Sequence, residues 1–229
     1  MRGFLAVWLF AVGACVGSFV NVVVLRLPAG LGIVRMGSRC PVCLHPIRWF
    51  DNVPIVSWLV LRGRCRDCRT PIAKRYPLVE LTTGLIFLAL GLAEVLSGGW
   101  NLPRPASAPR YFEYTACECW TLYVYHIVAV VTLLCAALIE RDGHAVPRRL
   151  FVPAFLLAVL VSPGLPFLHP VPAVDLTSDA ARLSGLVGTS WGLLAGALLA
   201  TAAWPATSRQ PGRPLAGRTA TFATAIAGM

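Results

Sequence analysis

Long runs of apolar residues make up most of the chain, and short segments rich in charged residues separate them. About 20 consecutive apolar residues let an α-helix cross the hydrocarbon core of a bilayer. Five runs come close to that length, and a sixth is shorter and rich in Thr and Ala: Gly3–Leu25, Pro77–Leu96, Trp120–Ile139, Leu150–Leu168, Leu183–Trp204 and Leu215–Met229. The pattern predicts an all-α, polytopic membrane protein with about five or six transmembrane helices.

Composition and charge placement agree with a membrane protein. The 229 residues are 57% hydrophobic and only 13% charged, which excludes an ordinary soluble domain. The net charge of +10 is also found in nucleic-acid-binding proteins. If every run spans the membrane, however, 16 of the 20 basic residues fall on one side, which the positive-inside rule makes cytosolic. We therefore expect the N-terminus outside, the basic loop after the first span in the cytosol, and the lipid bilayer, not nucleic acid, as a partner.

Four cysteines form two Cys-x-x-Cys pairs in this basic loop. Cys40 and Cys43 make the first pair, Cys65 and Cys68 make the second, and 21 residues separate the pairs. Four thiolates at this spacing can complete the tetrahedral shell of a structural Zn²⁺. Cytosolic thiols stay reduced, which favours metal binding over disulfides. The alternatives are a redox dithiol or cysteines that bind nothing, and an iron–sulfur cluster has less support.

The segment between the cysteine pairs contains a turn sequence and several aromatic residues. Asp51-Asn52-x-Pro54 is expected to fold the loop back so that the two pairs meet. A module this small needs a metal in place of a large core. The aromatic residues Trp49, Phe50 and Trp58 are expected to form a small apolar core or a contact with the membrane interface.

Glu80 and His126 are polar residues that lie within the apolar runs. Glu80 falls just inside the second run, where a carboxylate is costly unless it is paired. Arg75 and Arg26 are the candidate partners, and the alternative is that Glu80 reaches out to the interface. His126 lies in the third run, where a hydrogen-bonded group is a better interpretation than a metal ligand.

The metal loop and its neighbours strongly resemble the N-terminal module of type IV prepilin peptidases, the bifunctional leader peptidase and N-methyltransferase family. The resemblance covers Gly13 to about Gly84, with the elements in the family's order. It rests on a Gly-Ser-Phe-x-Asn turn at 17–21, an Asp-Asn-x-Pro-x-x-Ser-Trp segment at 51–58, both cysteine pairs, and Arg-Tyr-Pro-x-x-Glu at 75–80.

This resemblance implies a location, a domain organisation and an activity. It implies a bacterial inner-membrane protein that cleaves the leader from prepilins or pseudopilins and methylates the new N-terminus with S-adenosylmethionine. Residues 1–97 would form the N-terminal domain, with the cytosolic loop at 27–76 between its two spans. Residues 98–119 would form an external loop, and residues 120–229 a partial aspartic-peptidase-like membrane domain.

The second half departs from the family where the family keeps two catalytic aspartates. A general acid and a general base are both needed, and neighbouring carboxylates supply them by separating their pKa values. Glu140 stands where the resemblance places the first aspartate, in Ile-Asp-x-Asp-x-x-x-x-Pro, and Asp142 is retained. The second motif, Gly-x-Gly-Asp, is absent, and the best register puts Ala220 in place of its aspartate. Glu140 and Asp142 are thus the candidate catalytic residues, and an ordinary solvated helix end is the alternative.

Peptidase activity is therefore expected to be impaired, through either divergence or truncation of the chain, and whether the chain is an enzyme stays open. A non-catalytic role is the competing hypothesis. In that case the spans would bind pilin-like helices or a partner in pilus or secretion assembly, and the zinc loop would act as a structural clip.

Overall fold

The computed structural model describes residues 1–33, 37–102 and 113–161. Regular structure in these ranges is helical, apart from two isolated β-bridges. The α-helices are α1 (Arg2–Arg26), α2 (Val56–Val60), α3 (Arg75–Leu90), α4 (Ala116–Arg141) and α5 (Val152–Leu156). Segments of π-helix follow α3 and α5, at Gly91–Leu96 and Leu157–Val161, and 3₁₀ turns lie at Trp49–Asn52 and Arg148–Phe151.

Three of the described helices are long and apolar enough to cross a membrane. They cover Arg2–Arg26, Arg75–Leu96 and Ala116–Arg141, which correspond to the first three predicted spans. The fourth predicted span is described only as far as Val161. The fifth and sixth predicted spans, and Ala220 with them, lie outside the described residues.

Helices α1 and α3 pack closely because glycines remove side chains from their contact. A Cβ added to Gly13 would lie 2.6 Å from Cβ of Phe87, and one added to Gly17 would lie 2.7 Å from Cα of Glu80. On the opposite helix, a Cβ on Gly84 would lie 2.8 Å from the ring of Phe10. Gly13 and Gly17 are four residues apart, as in the small-residue contacts of membrane helices.

The prediction that the Gly-Ser-Phe-x-Asn sequence at residues 17–21 forms a turn is wrong. These residues lie inside α1. Gly17 is needed because the backbone of α3 approaches it, so close helix packing and not a change of chain direction explains this glycine.

Helix α4 packs against this pair through two groups of buried side chains. At the end nearest the cysteine loop, Ile139 and Cys135 contact Val20, Val24 and their neighbours. Further along the bundle, Tyr123 and Ile127 contact Leu9 and Phe87. The Tyr123 hydroxyl donates to the carbonyl of Phe87 at 3.1 Å, so a polar tip is satisfied within an apolar core.

Glu94 and His126 form the polar contact in this part of the bundle. Oε1 of Glu94 lies 2.8 Å from Nδ1 of His126. This contact joins the π-helical segment that continues α3 to helix α4. His126 is hydrogen-bonded, as the sequence indicated, and its partner is one that we did not predict. A buried carboxylate without such a partner would be costly at this depth.

We predict that Gly17→Ala destabilises the protein, because the new methyl group meets backbone atoms of α3 that cannot move alone. Overpacking of this kind costs about 1–3 kcal/mol. Gly3→Ala is the matched control, since a Cβ there meets nothing within 4 Å in the same helix. Thermal unfolding in detergent, followed by circular dichroism, measures the difference. Equal melting temperatures for the two variants would contradict the packing described above.

Candidate metal centre and the cavity beside it

The first cysteine pair lies in a tight turn formed by residues 38–47, which we call the first knuckle. The amide of Cys40 donates to the carbonyl of His45 at 3.0 Å, and the amide of Leu44 donates to the carbonyl of Cys40 at 2.9 Å. Leu44 has a φ of 60°, which reverses the chain directly after Cys43. The backbone hydrogen bonds thus hold both cysteines within one turn.

The second knuckle, formed by residues 63–72, repeats the first knuckle 25 residues later. The amide of Cys65 donates to the carbonyl of Thr70 at 2.8 Å, and the amide of Arg69 donates to the carbonyl of Cys65 at 3.1 Å. Arg69 has the same φ of 60° as Leu44. We did not predict this repeat, although SRCPVCLHPI and GRCRDCRTPI share Arg, both Cys, Pro and Ile at equivalent positions.

The two knuckles bring the four predicted sulfur ligands together. The four Sγ atoms lie within 4.8 Å of one another, and those of Cys40 and Cys68 are 3.6 Å apart. Zinc–sulfur bonds of about 2.3 Å in a tetrahedron put the sulfurs roughly 3.8 Å apart. All four cysteines are free thiols. The donor set and its spacing therefore fit a Zn²⁺ ion bound by four thiolates.

The cysteines of the cluster differ in proton affinity. Hydrogen bonds with the hydroxyl and the backbone of Thr70 lower the pKa of Cys68 to about 6. At Cys43 a backbone hydrogen bond with His45 lowers the pKa, but desolvation and the neighbouring sulfurs together outweigh it and raise the pKa to about 12. Four thiolates this close repel one another, and a divalent cation would remove that repulsion.

Polar contacts hold the second knuckle against the segment that precedes it. Asp51 accepts from Nε of Arg66 at 2.8 Å and from Nη2 at 2.6 Å, and this guanidinium lowers the pKa of Asp51. Arg48 lies 3.5 Å from Asp67. The indole of Trp58 donates to a carbonyl of the second knuckle at 3.2 Å. The turn expected at Asp51-Asn52 is present as part of a 3₁₀ turn, and Asp51 also fixes the position of the knuckle.

A hydrogen bond ties the cysteine module, residues 38–72, to α3. Oε2 of Glu80 accepts from the backbone amide of Ile55 at 2.7 Å, and Glu80 is only 8% exposed. We expected an arginine partner for this carboxylate, or a carboxylate that reaches the interface. Glu80 is instead buried against a backbone amide, and Arg75 binds Asp142.

The backbone at Ile55 is strained. Its φ of 63° is unfavourable for a β-branched residue, and such a conformation costs about 1–3 kcal/mol. The Ile55 amide donates to the Glu80 carboxylate in this conformation. Because a hydrogen bond to a charged group is stronger than one between neutral groups, this contact offsets the backbone strain.

A cavity of about 380 Å³ lies between the cysteine module and the adjoining ends of α1 and α3. Asn21, Tyr76 and Glu80 line it from the helices, and Asp51 and Trp58 line it from the module. The side-chain amide of Asn21 donates to the carbonyl of Tyr76 at 3.2 Å, which fixes one wall. The volume lies within the range of about 300–1,000 Å³ that is typical of small-molecule sites. The charged residues of the lining are three carboxylates and four arginines: Asp51, Asp67, Glu80, Arg26, Arg39, Arg48 and Arg66. Asp51 and Asp67 are paired with arginines, whereas Glu80 accepts from a backbone amide, so Glu80 is the wall group that suits an amine of a ligand.

The two candidate catalytic carboxylates do not face each other. Glu140 is exposed, and its side chain has no hydrogen bond or ion pair within the described ranges. Both oxygens of Asp142 accept from Nη1 of Arg75, at 2.7 and 2.6 Å, and only 14% of its side chain is exposed. Residues two apart at a helix end point in different directions. Glu140 therefore lies at a solvated helix end, whereas Asp142 joins α4 to α3 through its ion pair with Arg75.

Comparison with known families agrees with the N-terminal resemblance. Residues 11–93 match the family model described as the bacterial peptidase A24 N-terminal domain. The matched segment contains both knuckles, the Glu80–Ile55 contact and the helices that line the cavity. No solved structure matches the chain.

Similar curated proteins come from several bacteria. A prepilin leader peptidase/N-methyltransferase of Myxococcus xanthus is 36% identical over 206 residues, which is 90% of this chain and 51% of the relative. A type 4 prepilin-like proteins leader peptide-processing enzyme of Escherichia coli is 43% identical over 39% of this chain and 40% of its own length. A prepilin leader peptidase/N-methyltransferase of Klebsiella pneumoniae is 46% identical over 37% of this chain and 40% of its length. The chain spans about half the length, or less, of these relatives.

We predict that the purified protein contains about one zinc ion per chain, and that a Cys40→Ser, Cys65→Ser variant loses it because each knuckle then lacks a thiolate. Cys15→Ser with Cys117→Ser is the matched control, since both thiols are exposed and lie outside the cluster. Elemental analysis of each protein provides the measurement. Zinc content that is equal in the two double variants would exclude the cluster as the site.

We predict that Glu80→Ala lowers the free energy of unfolding by about 1–3 kcal/mol, because it leaves the strained Ile55 amide without its acceptor. Glu80→Gln keeps an oxygen acceptor and should retain most of the stability. Hydrogen–deuterium exchange at Ile55 and denaturant unfolding in detergent measure both effects. If Gln were as damaging as Ala, the charge of Glu80 and not this hydrogen bond would be the stabilising feature.

Proposed function

We propose that this chain, which carries the N-terminal domain of the bacterial peptidase A24 family and is a relative of prepilin leader peptidase/N-methyltransferases, processes the N-terminal segments of prepilins or pseudopilins. The observation that carries this proposal is the cavity of about 380 Å³ between the cysteine module and two candidate spans. A membrane-anchored substrate would present its N-terminal segment close to such a position.

The proposed location is the cytosolic face of a bacterial inner membrane, with the N-terminus of the chain outside. The arginines of the loop at 27–76 support this orientation, because basic loops are retained in the cytosol. In the proposed division, residues 1–97 form the N-terminal domain, residues 98–119 an external loop, and residues 120–229 a partial peptidase-like membrane domain. Zn²⁺ bound by the four cysteines would act as a structural clip that keeps the module against α1 and α3.

Methyl transfer is the activity that the cavity supports best. S-adenosylmethionine, the methyl donor that the family name suggests, would supply an electrophilic methyl group to the neutral amine of the substrate. The C–N bond would form as the C–S bond breaks, S-adenosylhomocysteine would leave with the electron pair, and the methylated amine would release its extra proton to solvent. The cavity walls are suited to position that amine, because Glu80 contributes a carboxylate that is not paired with an arginine, and Trp58 and Tyr76 contribute flat apolar surfaces. Asp51 is ionised but neutralised by Arg66, which lowers its pKa, so we assign it a role in holding the cavity wall.

Peptide cleavage would rest on Glu140 and Asp142, and we propose that it is weak in this chain. Asp142 is engaged by Arg75, and Glu140 points elsewhere, so the pair lacks the proximity that separates two carboxylate pKa values. The same ion pair favours the competing hypothesis that the chain binds pilin-like helices without cleaving them, since Asp142 then serves to join α3 and α4.

We predict that a pseudopilin co-expressed with this chain, in a strain without its own leader peptidase, remains largely uncleaved. A synthetic peptide with the mature N-terminus and a free amine should nevertheless be methylated by the reconstituted protein. Mass spectrometry measures both products separately. Glu80→Gln should reduce methylation because it removes a charge from the cavity but keeps the Ile55 hydrogen bond.

The controls separate three hypotheses: peptide cleavage, methyl transfer, and binding without catalysis. Residual cleavage that persists in a Glu140→Ala, Asp142→Ala variant would exclude both residues as catalysts. Binding of the peptide without methylation or cleavage would favour the non-catalytic alternative. Failure to bind the peptide at all would overturn the proposed function.

A further inference from the structure

We propose that a second surface of the cysteine module docks on the membrane and binds the phosphates of anionic lipids. The surface comprises α2 and the arginines that follow it, Arg62, Arg64 and Arg69. This inference goes beyond the proposed function and does not depend on it, because it requires only that α1 and α3 cross a bilayer.

The position of α2 relative to the candidate span is set by the Glu80–Ile55 hydrogen bond. Glu80 is the sixth residue of α3, so it lies about 7 Å along the helix from Arg75. Because Ile55 directly precedes α2 and bonds to Glu80 at 2.7 Å, α2 begins at the depth of a residue inside the span. Interfacial helices lie about 5–10 Å into the boundary between headgroups and acyl chains, and α2 is therefore held at that level.

The short helix α2 exposes an apolar face at this depth. Val56, Leu59 and Val60 are 54%, 61% and 69% exposed, and their spacing puts them on one side of the helix. Trp49, expected from the sequence as part of a small core or an interfacial contact, is 83% exposed and so is not in a core. Exposed valine, leucine and tryptophan side chains are unfavourable in water, and the lipid boundary accommodates them.

Arginines border this apolar face. Arg62, Arg64, Arg66 and Arg69 line an open cleft together with Val60. Arg66 is neutralised by Asp51, but the side chains of the other three have no hydrogen-bond or ion-pair partner in the portion of the chain covered by the structure. A planar guanidinium matches a phosphate group well, and positive charge near an anionic leaflet is attracted to it.

The internal repeat indicates that these charges are not needed to fold a knuckle. The first knuckle has Gly37, Arg39 and Leu44 at the positions equivalent to Arg62, Arg64 and Arg69. At these three positions, the same turn therefore forms with one arginine in the first knuckle and with three in or beside the second. The two additional arginines lie beside the apolar face of α2, where anionic headgroups would meet them.

The test compares lipid binding to the full chain in nanodiscs of equimolar phosphatidylglycerol and phosphatidylcholine. Native mass spectrometry counts the lipids that each protein retains. An Arg62→Gln, Arg64→Gln, Arg69→Gln variant should lose preference for phosphatidylglycerol by about five-fold per arginine. An Arg2→Gln, Arg141→Gln, Arg149→Gln variant removes the same charge from exposed positions outside the cleft and should keep the preference. Zinc content checks that each variant is folded.

A crosslinking arm tests the apolar contact. The photoreactive residue p-benzoylphenylalanine placed at Leu59 should form adducts with lipid acyl chains. The same residue at Val42 is the control, because Val42 is 62% exposed and lies in the first knuckle, not in α2. Equal adduct yields at the two positions, or equal loss of phosphatidylglycerol in the two arginine variants, would overturn the proposal. So would release of the bound lipid by excess inorganic phosphate, since the cleft would then be a site for free phosphate.

Discussion

The convergence of four sulfur atoms is the constraint on which the rest of this protein depends. The cysteine module has no strand and little buried apolar surface, since Val42, Trp49 and several neighbours are exposed. Backbone hydrogen bonds shape each knuckle, but they do not hold one knuckle against the other. Sulfurs within 4.8 Å of one another allow a single cation to do so. Residues of both knuckles line the cavity, so its shape follows from this arrangement.

The hydrogen bond between Glu80 and Ile55 couples the module to the helices. The carboxylate of Glu80 lies near the end of a candidate span, and Ile55 is a strained residue that directly precedes α2, so this one contact fixes where α2 begins. The glycines of α1 serve the same junction, because Gly17 lets α1 approach the backbone of Glu80 directly. Close packing of α1 on α3 therefore sets the position of the carboxylate that in turn sets the position of the module.

Helix α4 is joined to this unit by ionisable groups at two places, directly after its C-terminus and near its middle. Arg75 binds Asp142 near the module, and Glu94 binds His126 in the other half of the bundle. The first of these contacts holds Asp142 in an ion pair, so the two carboxylates at the end of α4 do not face each other in the described residues. The cysteine cluster and the cavity both lie within residues 11–93, and the proposed methyl transfer rests on the walls of this cavity.

The amino-acid sequence alone determined the apolar runs, the three described spans within a few residues, and the four cysteine ligands, because hydropathy and ligand spacing are local properties. Local properties did not reveal partners that are distant in the chain. Glu80 was expected to bind an arginine and binds an amide, and Asp142 was expected to lie in solvent or at a catalytic site and binds Arg75. Gly17 was interpreted as a turn and is a helix contact, because only the packed structure shows which backbone approaches it. Tertiary structure decided these points, since charge pairing and close packing depend on which residues folding brings within a few ångströms.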